Sequence, residues 1–232
     1  MSISSLLMGQ RRAAYEFNSS NILRCIEKNS DAGLLDMGCY DGKWTVKVAE
    51  KMGTKKIFGL EIIDEKAREA ERSGVKVKLG DLNDKLPFEQ EFDVIHSNQV
   101  IEHLKDTDLF ISEIHRLLKP GGYTIISTEN LASWHNVFSL VLGFTPFSLV
   151  NCTSKTAAVG NPLAPQEGND LQFEYLQHHK VFTLRGLKEL LVLFGFRIEK
   201  VLGAGYYPFG NLFCGIDPNH SAFVTIKARK VK

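Results

Sequence analysis

The chain has 232 residues, of which 44% are hydrophobic and 24% charged, as in one large soluble globular domain that needs neither disulfides nor metal to bury a core. The formal net charge of +1 excludes a global field that would attract nucleic acid or an acidic surface. The four cysteines form no CxxC pair, which excludes a zinc ribbon or a disulfide framework and fits a reducing cytosol.

The N-terminus and the apolar runs predict a cytoplasmic protein. In MSISSLLMGQRR the arginines follow a short apolar run, which is the wrong order for a signal peptide. No apolar run is long enough to span a membrane, and the longest, Val137–Val150, is broken by Gly143 and Pro146.

Helices and strands alternate along the first 130 residues. The pattern predicts a helix over 11–29 and then strand–helix pairs, with the strands at GLLDMG, KKIFGLEII, VKVKLGD, EFDVIHSN and YTIISTE. The helices between them are predicted at KWTVKVAEKMG, DEKAREAERSG and DTDLFISEIHRLLKPGG. Such alternation is typical of a doubly wound α/β fold, in which helices cover both faces of a parallel sheet.

The alternation stops after Glu129. Residues 130–180 are too long for an ordinary connection and are rich in aromatics, so we expect an insertion that acts as a lid. A helix at TLRGLKELLVLFGF and strands at RIEKVLGAG and SAFVTIKARK follow. No helix separates the last two strands, so the last strand should pair antiparallel. We expect a single domain over 1–232, with 1–33 as an N-terminal helical segment.

The loop after the first strand, DMGCYDG, predicts a ligand site at the carboxyl edge of the sheet. Gly38 permits close approach of the backbone to a ligand, and Gly42 permits close packing where the next helix starts. A dinucleotide site would need another glycine where Tyr40 stands, because the pyrophosphate must reach the helix N-terminus. The loop therefore suits a ligand without phosphates.

Residues at the ends of the next strands suit a nucleoside. Glu61 can accept hydrogen bonds from two ribose hydroxyls, and Ile62 can form an apolar wall. Asp81 and the amide of Leu82 can read an adenine edge. A charged, polar tail of the same ligand would lie near Asp36.

Four stretches resemble the successive motifs of class I S-adenosylmethionine-dependent methyltransferases of the ubiquinone/menaquinone-methyltransferase-like (type 11) group. They are LLDMGCYDG, GLEII, GDLNDKLPFEQEFDVIHSNQVIEHL and EIHRLLKPGGYTIISTEN. The resemblance implies a Rossmann-like, seven-stranded, mostly parallel sheet with an antiparallel last strand. It also implies S-adenosylmethionine as cofactor and S-adenosylhomocysteine as product.

The resemblance assigns roles to residues of the loops. Gly38–Gly42, with Cys39 inside it, would contact the methionine part, Glu61 the ribose, and Asp81 with Leu82 the adenine. Asn98 and Gln99 would lie near the sulfonium. Some quinone-precursor O-methyltransferases of the group hold a metal with an acid placed before a Glu-His pair; here Asn98 or Gln99 stands before Glu102-His103, so no metal is predicted.

The acceptor site is predicted in the insertion and beside it. Aromatic and histidine side chains should line the acceptor pocket: Trp134, His135, Phe138, Phe173 and Tyr175. If the acceptor must lose a proton, a histidine can take it, and we favour His178 and His179, with His103 as a further candidate.

These features favour methylation of a small molecule with a hydrophobic part, such as a lipid, an isoprenoid-linked sugar or an aromatic, on oxygen or else on carbon or nitrogen. The alternatives are a catalytically silent protein that binds the same cofactor and an NAD-dependent oxidoreductase, which Tyr40 disfavours. Near-neutral charge disfavours nucleic acid, although Arg11-Arg12 leaves RNA open. Val137–Val150 leaves peripheral membrane contact open, and the sequence does not define an oligomeric state.

Overall fold

A computed structural model describes residues 3–153, 158–164 and 177–231 of the chain. Its centre is a seven-stranded sheet in the order β3-β2-β1-β4-β5-β7-β6. The strands are β1 (Gly33–Met37), β2 (Lys56–Glu61), β3 (Lys76–Leu79), β4 (Phe92–Asn98), β5 (Leu118–Glu129), β6 (Phe196–Ala204) and β7 (Phe223–Lys230).

The pairing confirms a mostly parallel sheet with an antiparallel last strand. The four pairings among β1 to β5 are parallel, whereas β7 runs antiparallel to both β5 and β6. The chain makes β6 at the outer edge and then returns to insert β7 between β5 and β6.

Six α-helices accompany the sheet in the described part of the chain. They are α1 (Ile3–Cys25), α2 (Lys43–Met52), α3 (Asp64–Arg72), α4 (Thr107–Leu117), α5 (Trp134–Val141) and α6 (Leu184–Leu193). The first helix begins and ends earlier than the predicted 11–29. The predicted lid segment, residues 130–180, contains α5 and a short 3₁₀ turn, Phe147–Leu149. No helix in the described ranges is long and apolar enough to cross a membrane.

Alternation along the central strands builds a core on each face of the sheet. Leu35, Ile95 and Ile126 belong to the core that α4 and α6 cover. Their chain neighbours Leu34, Val94 and Ile125 belong to the opposite core, which also includes residues of α1 and α2. The side chains of successive strand residues point to opposite faces of the sheet, so adjacent apolar residues pack into different cores. Each fully buried aliphatic side chain contributes roughly 1.5–3 kcal/mol.

Buried amides attach α1 to the sheet. Asn18 is fully buried, and its Nδ2 donates to Ser127 Oγ at 2.8 Å while its Oδ1 accepts from Thr225 Oγ1 at 2.9 Å. Asn21 Nδ2 donates to the carbonyl of Gly203 at 2.9 Å. These contacts reach β5, β7 and β6, and they hold the C-terminal half of α1 against the sheet.

Candidate functional site

The loop between β1 and α2 passes three times through the left-handed region. Gly38 has φ +81°, Tyr40 φ +48° and Gly42 φ +76°. At Gly42 a Cβ would lie 2.8 Å from Ala70 Cα, so only glycine fits where α2 starts. Tyr40 thus has the backbone conformation of a glycine, while its exposed ring lies 4.8 Å from Lys66 Nζ, on the α3 side of the loop.

Cys39 has its side chain in a small core rather than at the loop surface. It packs with Ala70 and Val75, and burial raises the pKa of its thiol. A Cβ at Gly59 would lie 2.5 Å from the sulfur, so the glycine in β2 makes room for it. Only the backbone of Cys39 is therefore available to a ligand at the loop.

Glu61, at the end of β2, joins two loops. Its Oε2 accepts from the backbone N–H of Tyr40 at 2.8 Å, and its Oε1 accepts from those of Ile62 and Ile63 at 3.0 Å each. The carboxylate is 5% exposed. Three backbone donors fix its orientation, and an ionised carboxylate keeps capacity for a further donor.

Asp36 is buried beneath the same loop and accepts two side-chain hydrogen bonds. Thr45 Oγ1 donates to Oδ2 at 2.5 Å, and His96 Nδ1 lies 2.7 Å from Oδ1. Trp44 Nε1 donates to His96 Nε2 at 3.4 Å. Because an indole N–H can only donate, Nε2 of His96 must be an acceptor, so its Nδ1–H donates to Asp36.

The loop after β3 places an acid and an apolar residue at the sheet edge. Asp81 is half-buried, and its Oδ1 accepts from the backbone and side-chain nitrogens of Asn83 at 2.8 and 2.9 Å. Leu82 packs against the larger core. Ile62, at the end of β2, is 45% exposed and leaves an apolar surface free beside Glu61.

Asn98 ends β4 beside α1, and Gln99 follows it. Asn98 Nδ2 donates to Tyr15 Oη at 3.4 Å, and its Oδ1 accepts from Asn18 at 3.4 Å. Gln99 has φ +55°, which a non-glycine residue rarely adopts. Its side-chain Nε2 is buried and has no hydrogen-bond partner among the described residues. An unmet donor of this kind is expected where a ligand supplies the acceptor.

A cavity of about 590 Å³ opens between α1 and the ends of β4, β5 and β7. Ten residues line it: Arg11, Arg12, Tyr15, Glu16, Gln99, Glu102, His103, Glu129, His178 and Phe223. The lining is polar and carries both signs of charge. Arg11 Nη2 lies 3.6 Å from Glu129 Oε1. The other carboxylate oxygen of Glu129, Oε2, lies 3.9 Å from His178 Nδ1.

Glu102 is the most deeply buried acid of the cavity. It is 1% exposed, and its Oε2 accepts from Thr128 Oγ1 at 2.8 Å. Its Oε1 has no partner in the described part of the chain. Burial raises the pKa of this carboxyl from 4.5 to about 7. Glu102 is thus poised to gain or lose a proton near neutrality.

Two histidines lie beside Glu102. His103 Nδ1 is 3.1 Å from the carbonyl of Gln177, and His178 Nδ1 is 2.7 Å from the carbonyl of Ser148. A carbonyl only accepts, so Nδ1 carries a proton in both rings, and in the neutral form of either ring the lone pair lies on Nε2. The ring centroids are 4.8 Å apart, and burial lowers the pKa of His103 to about 4.

Glu102, His103 and His178 each offer an atom able to ligate a metal, and these atoms lie within 4.8 Å of one another. One carboxylate and two imidazoles form a donor set that divalent transition metals accept. The absence of a metal stays a prediction of the sequence. The structure places His178 beside Glu102 and His103, although it lies far from this pair in the sequence.

The residues predicted for the acceptor pocket lie elsewhere or outside the described ranges. Trp134 Nε1 donates to Tyr206 Oη at 2.7 Å, and Phe138 is 58% exposed. His135 packs between Phe147 and Tyr207, and burial lowers its pKa to about 4. None of these three side chains lines the cavity, and neither does the exposed His179. Phe173 and Tyr175 lie outside the described residues, so the pocket roles stay predictions.

Sequence reasoning missed the part of the site that α1 and β5 supply. Arg11, Arg12 and Tyr15 come from α1, and Glu129 ends β5. The sequence leaves RNA open as a partner of Arg11-Arg12 and does not connect the pair with a cavity. The available signal was Asn18 with Asn21, two amides one turn apart on a helix, which α1 buries against the sheet.

Comparisons with known proteins point to one enzyme class. A family model described as a methyltransferase domain matches residues 10–201. An uncharacterised methyltransferase of Schizosaccharomyces pombe is 31% identical over 128 residues, 50% of this chain and 45% of that protein. A ubiquinone biosynthesis O-methyltransferase of Ruegeria pomeroyi is 32% identical over 108 residues, 42% of this chain and 41% of that protein. The chain spans about half the length of the curated relatives it matches.

Among solved structures, an S-adenosylmethionine-dependent methyltransferase from Mesorhizobium loti has a TM-score of 0.61 to this fold. The match covers 91% of this chain and 96% of that chain at 17% identity. At this identity the likeness establishes the fold alone.

Proposed function

We propose that this chain O-methylates a small molecule held in the cavity under α1. The chain belongs to the methyltransferase-domain family and is a class I S-adenosylmethionine-dependent methyltransferase of the ubiquinone/menaquinone-methyltransferase-like group. The observation that carries this proposal is the buried Oε1 of Glu102. This oxygen has no hydrogen-bond partner among the described residues. Glu102 lines the same cavity as Gln99, which lies next to the proposed cofactor loops.

The family and the fold imply S-adenosylmethionine as cofactor. When bound, it supplies a methyl group that is already activated. The residues at the carboxyl ends of β1 to β4 fit such a ligand: the left-handed loop leaves backbone free, Glu61 is fixed at the neighbouring strand end, and Ile62 is exposed for an apolar contact. The unmet N–H of Gln99 supports a polar ligand atom at the end of β4.

On this proposal, Gly38–Gly42 hold the amino-acid tail through backbone groups, and Glu61 accepts from the ribose hydroxyls. Asp81, Leu82 and Ile62 surround the adenine. Asp36 lies beneath the loop and holds α2 through its hydrogen bond with Thr45. Asn98 is hydrogen-bonded to α1 and thereby positions the adjacent Gln99. The protein contributes mainly orientation and exclusion of water, since the donor is activated before it binds.

Glu102 would take the proton of the acceptor hydroxyl. The bound cofactor would supply the methyl group, whose transfer to that oxygen breaks the sulfur–methyl bond and yields S-adenosylhomocysteine. A pKa of about 7 suits Glu102 to this role, because a base works best when its pKa lies near the working pH. His178 and His103 present Nε2 lone pairs beside it and orient the hydroxyl. His179, whose backbone N–H donates to the Glu102 carbonyl, supports the loop rather than the proton transfer.

The proposed acceptor has a hydrophobic part that extends toward Tyr15 and Phe223 at the α1 side of the cavity. These rings meet edge to face at 6.1 Å and form the aromatic part of an otherwise polar lining. A hydroxylated aromatic or an isoprenoid-linked hydroxyl compound combines the two features that the cavity offers.

Calorimetric titration with S-adenosylmethionine, followed by transfer assays on hydroxylated aromatic and isoprenoid-linked acceptors, tests the proposal. Glu102→Gln should keep cofactor affinity and reduce transfer by roughly 10²-fold or more. Glu16→Gln, at the exposed mouth of the same cavity, should keep both. Cofactor binding with no transfer to any acceptor would favour the silent binder. Activity lost to a chelator and restored by a divalent cation would reassign Glu102, His103 and His178 as metal ligands.

A further inference from the structure

Two segments near α1 expose large apolar side chains. They are the end of α5 and the loop between β6 and β7, and together we call them the apolar face. Seven of its large side chains are 58% to 85% exposed: Phe138, Leu140, Val141, Leu142, Phe209, Leu212 and Ile216. Monomeric proteins rarely expose contiguous apolar surface on this scale without a binding role.

Aromatic contacts join the two segments into one surface. Trp134 of α5 donates to Tyr206 Oη at 2.7 Å and lies 6.0 Å from the ring of Phe138. On the loop side, the ring of Phe213 lies 5.4 Å from Tyr206 and 5.6 Å from Phe209. The exposed residues therefore stand on a packed aromatic base.

Charge is absent from both segments and present at their edge. No Asp, Glu, Lys or Arg occurs over 134–153 or over 201–216. The first acid, Asp217, accepts from Tyr206 and His220. Beside the loop runs α1, whose Gln10 Nε2 donates to the carbonyl of Pro208 at 3.2 Å. The next two residues of α1, Arg11 and Arg12, are 61% and 83% exposed.

We propose that the apolar face docks on a lipid bilayer that contains anionic lipids, with Arg11 and Arg12 at the headgroups. An uncharged surface of aromatic and aliphatic side chains with cations at its rim is the pattern of interfacial membrane binding. A protein partner of ordinary surface would need polar groups to match, and these two segments offer few.

The docked orientation has a consequence for the site. Arg11 and Arg12 belong both to the rim of the apolar face and to the lining of the cavity, so the cavity opens beside the membrane surface. A hydrophobic acceptor could then enter from the lipid phase. This last step rests on the proposed function, whereas the docking itself does not.

Flotation of the full chain with vesicles tests the docking in the absence of any methyl donor. We compare vesicles of phosphatidylcholine alone with equimolar phosphatidylcholine and phosphatidylglycerol. The protein should float with the mixed vesicles, and Leu212→Asp with Ile216→Asp should reduce binding at least about tenfold. Leu193→Asp, at an equally exposed position at the end of α6, should bind like the unaltered chain.

Arg11→Gln with Arg12→Gln should weaken binding to the anionic vesicles and abolish the preference for them over phosphatidylcholine. Binding to neither vesicle would overturn the proposal, as would equal binding by the Leu212 and Ile216 variant. A dimer that the same variant dissociates, seen by sedimentation, would also overturn it, because a second copy would then cover the face. Calorimetry with S-adenosylmethionine reports separately on the proposed function.

Discussion

At the scale of single residues, Tyr40 shows that a loop can pass through the left-handed region at a residue other than glycine. Its φ of +48° lies in the region where glycine is preferred, and its N–H still donates to Glu61. The ring lies over Lys66 on α3. The backbone of residue 40 thus shapes the loop between β1 and α2, and its side chain packs on the outer surface of that loop.

The first prediction separates these two contributions of Tyr40. Tyr40→Gly should leave the Kd for S-adenosylmethionine within about twofold, because glycine adopts the same φ without strain. Tyr40→Pro should weaken binding at least about tenfold, because proline fixes φ near −65° and removes the N–H that Glu61 accepts. Calorimetry measures both. A large loss of affinity in Tyr40→Gly would instead place the phenol ring on the ligand.

The second prediction concerns the buried Asp36–His96 pair. His96→Leu removes a donor from a carboxylate that is 3% exposed and should lower the free energy of unfolding by roughly 2 kcal/mol or more. Urea unfolding measures the change. His115→Leu is the matched control: His115 packs against the ring of Phe196 rather than facing a carboxylate, so its loss should be smaller. Equal losses would show that Asp36 does not depend on His96.

At the scale of elements, an ion-pair network ties the two antiparallel strands together. Glu199 of β6 accepts from Arg229 of β7 through both carboxylate oxygens, at 2.5 and 2.9 Å. Lys227, also on β7, pairs with Glu27 beyond the end of α1. These contacts link α1, β6 and β7 at one end of the sheet.

The third prediction follows from the pKa of Glu199, which hydrogen bonds from Arg229 lower from 4.5 to about 2. A lowered folded-state pKa stabilises the fold above the unfolded pKa, and this contribution is lost as pH falls from about 4.5 to about 2. Glu199→Gln should therefore lower unfolding free energy by about 1 kcal/mol at pH 7, since the network is partly in water. The difference should shrink when urea unfolding is repeated near pH 3. A pH-independent difference would rule out the linkage.

The sequence predicts elements well where their periodicity is strong. The five strands up to Glu129 and the helices between them occur in the predicted order. Adjacent apolar residues such as Leu34 and Leu35 are a strong signal for these strands, because the two side chains pack into cores on opposite faces of the sheet. The position of β7 between β5 and β6 could not be predicted from the sequence. A hairpin-like connection predicts its direction but not its neighbours on the other side.

The candidate site divides in the same way. The position of loop residues such as Glu61 and Asp81 can be predicted because parallel strands end at one edge, whereas their contacts with a ligand stay predictions. The cavity lining cannot be predicted, since Arg11, Glu102 and His178 meet only through tertiary packing. The role of Trp134 and Phe138 in an acceptor pocket stays a prediction. Neither residue lines the cavity, and their rings lie 6.0 Å apart in α5.

At the scale of the whole molecule, the last strand completes the sheet from the inside. β7 pairs with β5 from Phe223 to Arg229 on one side and with β6 on the other, and Val224, Ile226 and Ala228 are fully buried in the larger core. Without β7, neither β5 nor β6 has a partner on its facing edge. The sheet therefore depends on the final residues of the described chain.

The fourth prediction tests this dependence by truncation. A chain ending at His220 lacks all of β7, so β6 loses its only paired strand in the described sheet and α1 loses the Thr225 contact of Asn18. We expect no cooperative thermal transition and loss of near-ultraviolet circular dichroism, as in a compact state without fixed packing. A chain ending at Lys230 removes only the exposed Val231 and the residue after it, and should unfold like the full chain. A cooperative transition in the shorter chain would mean that β1 to β5 fold as an independent unit.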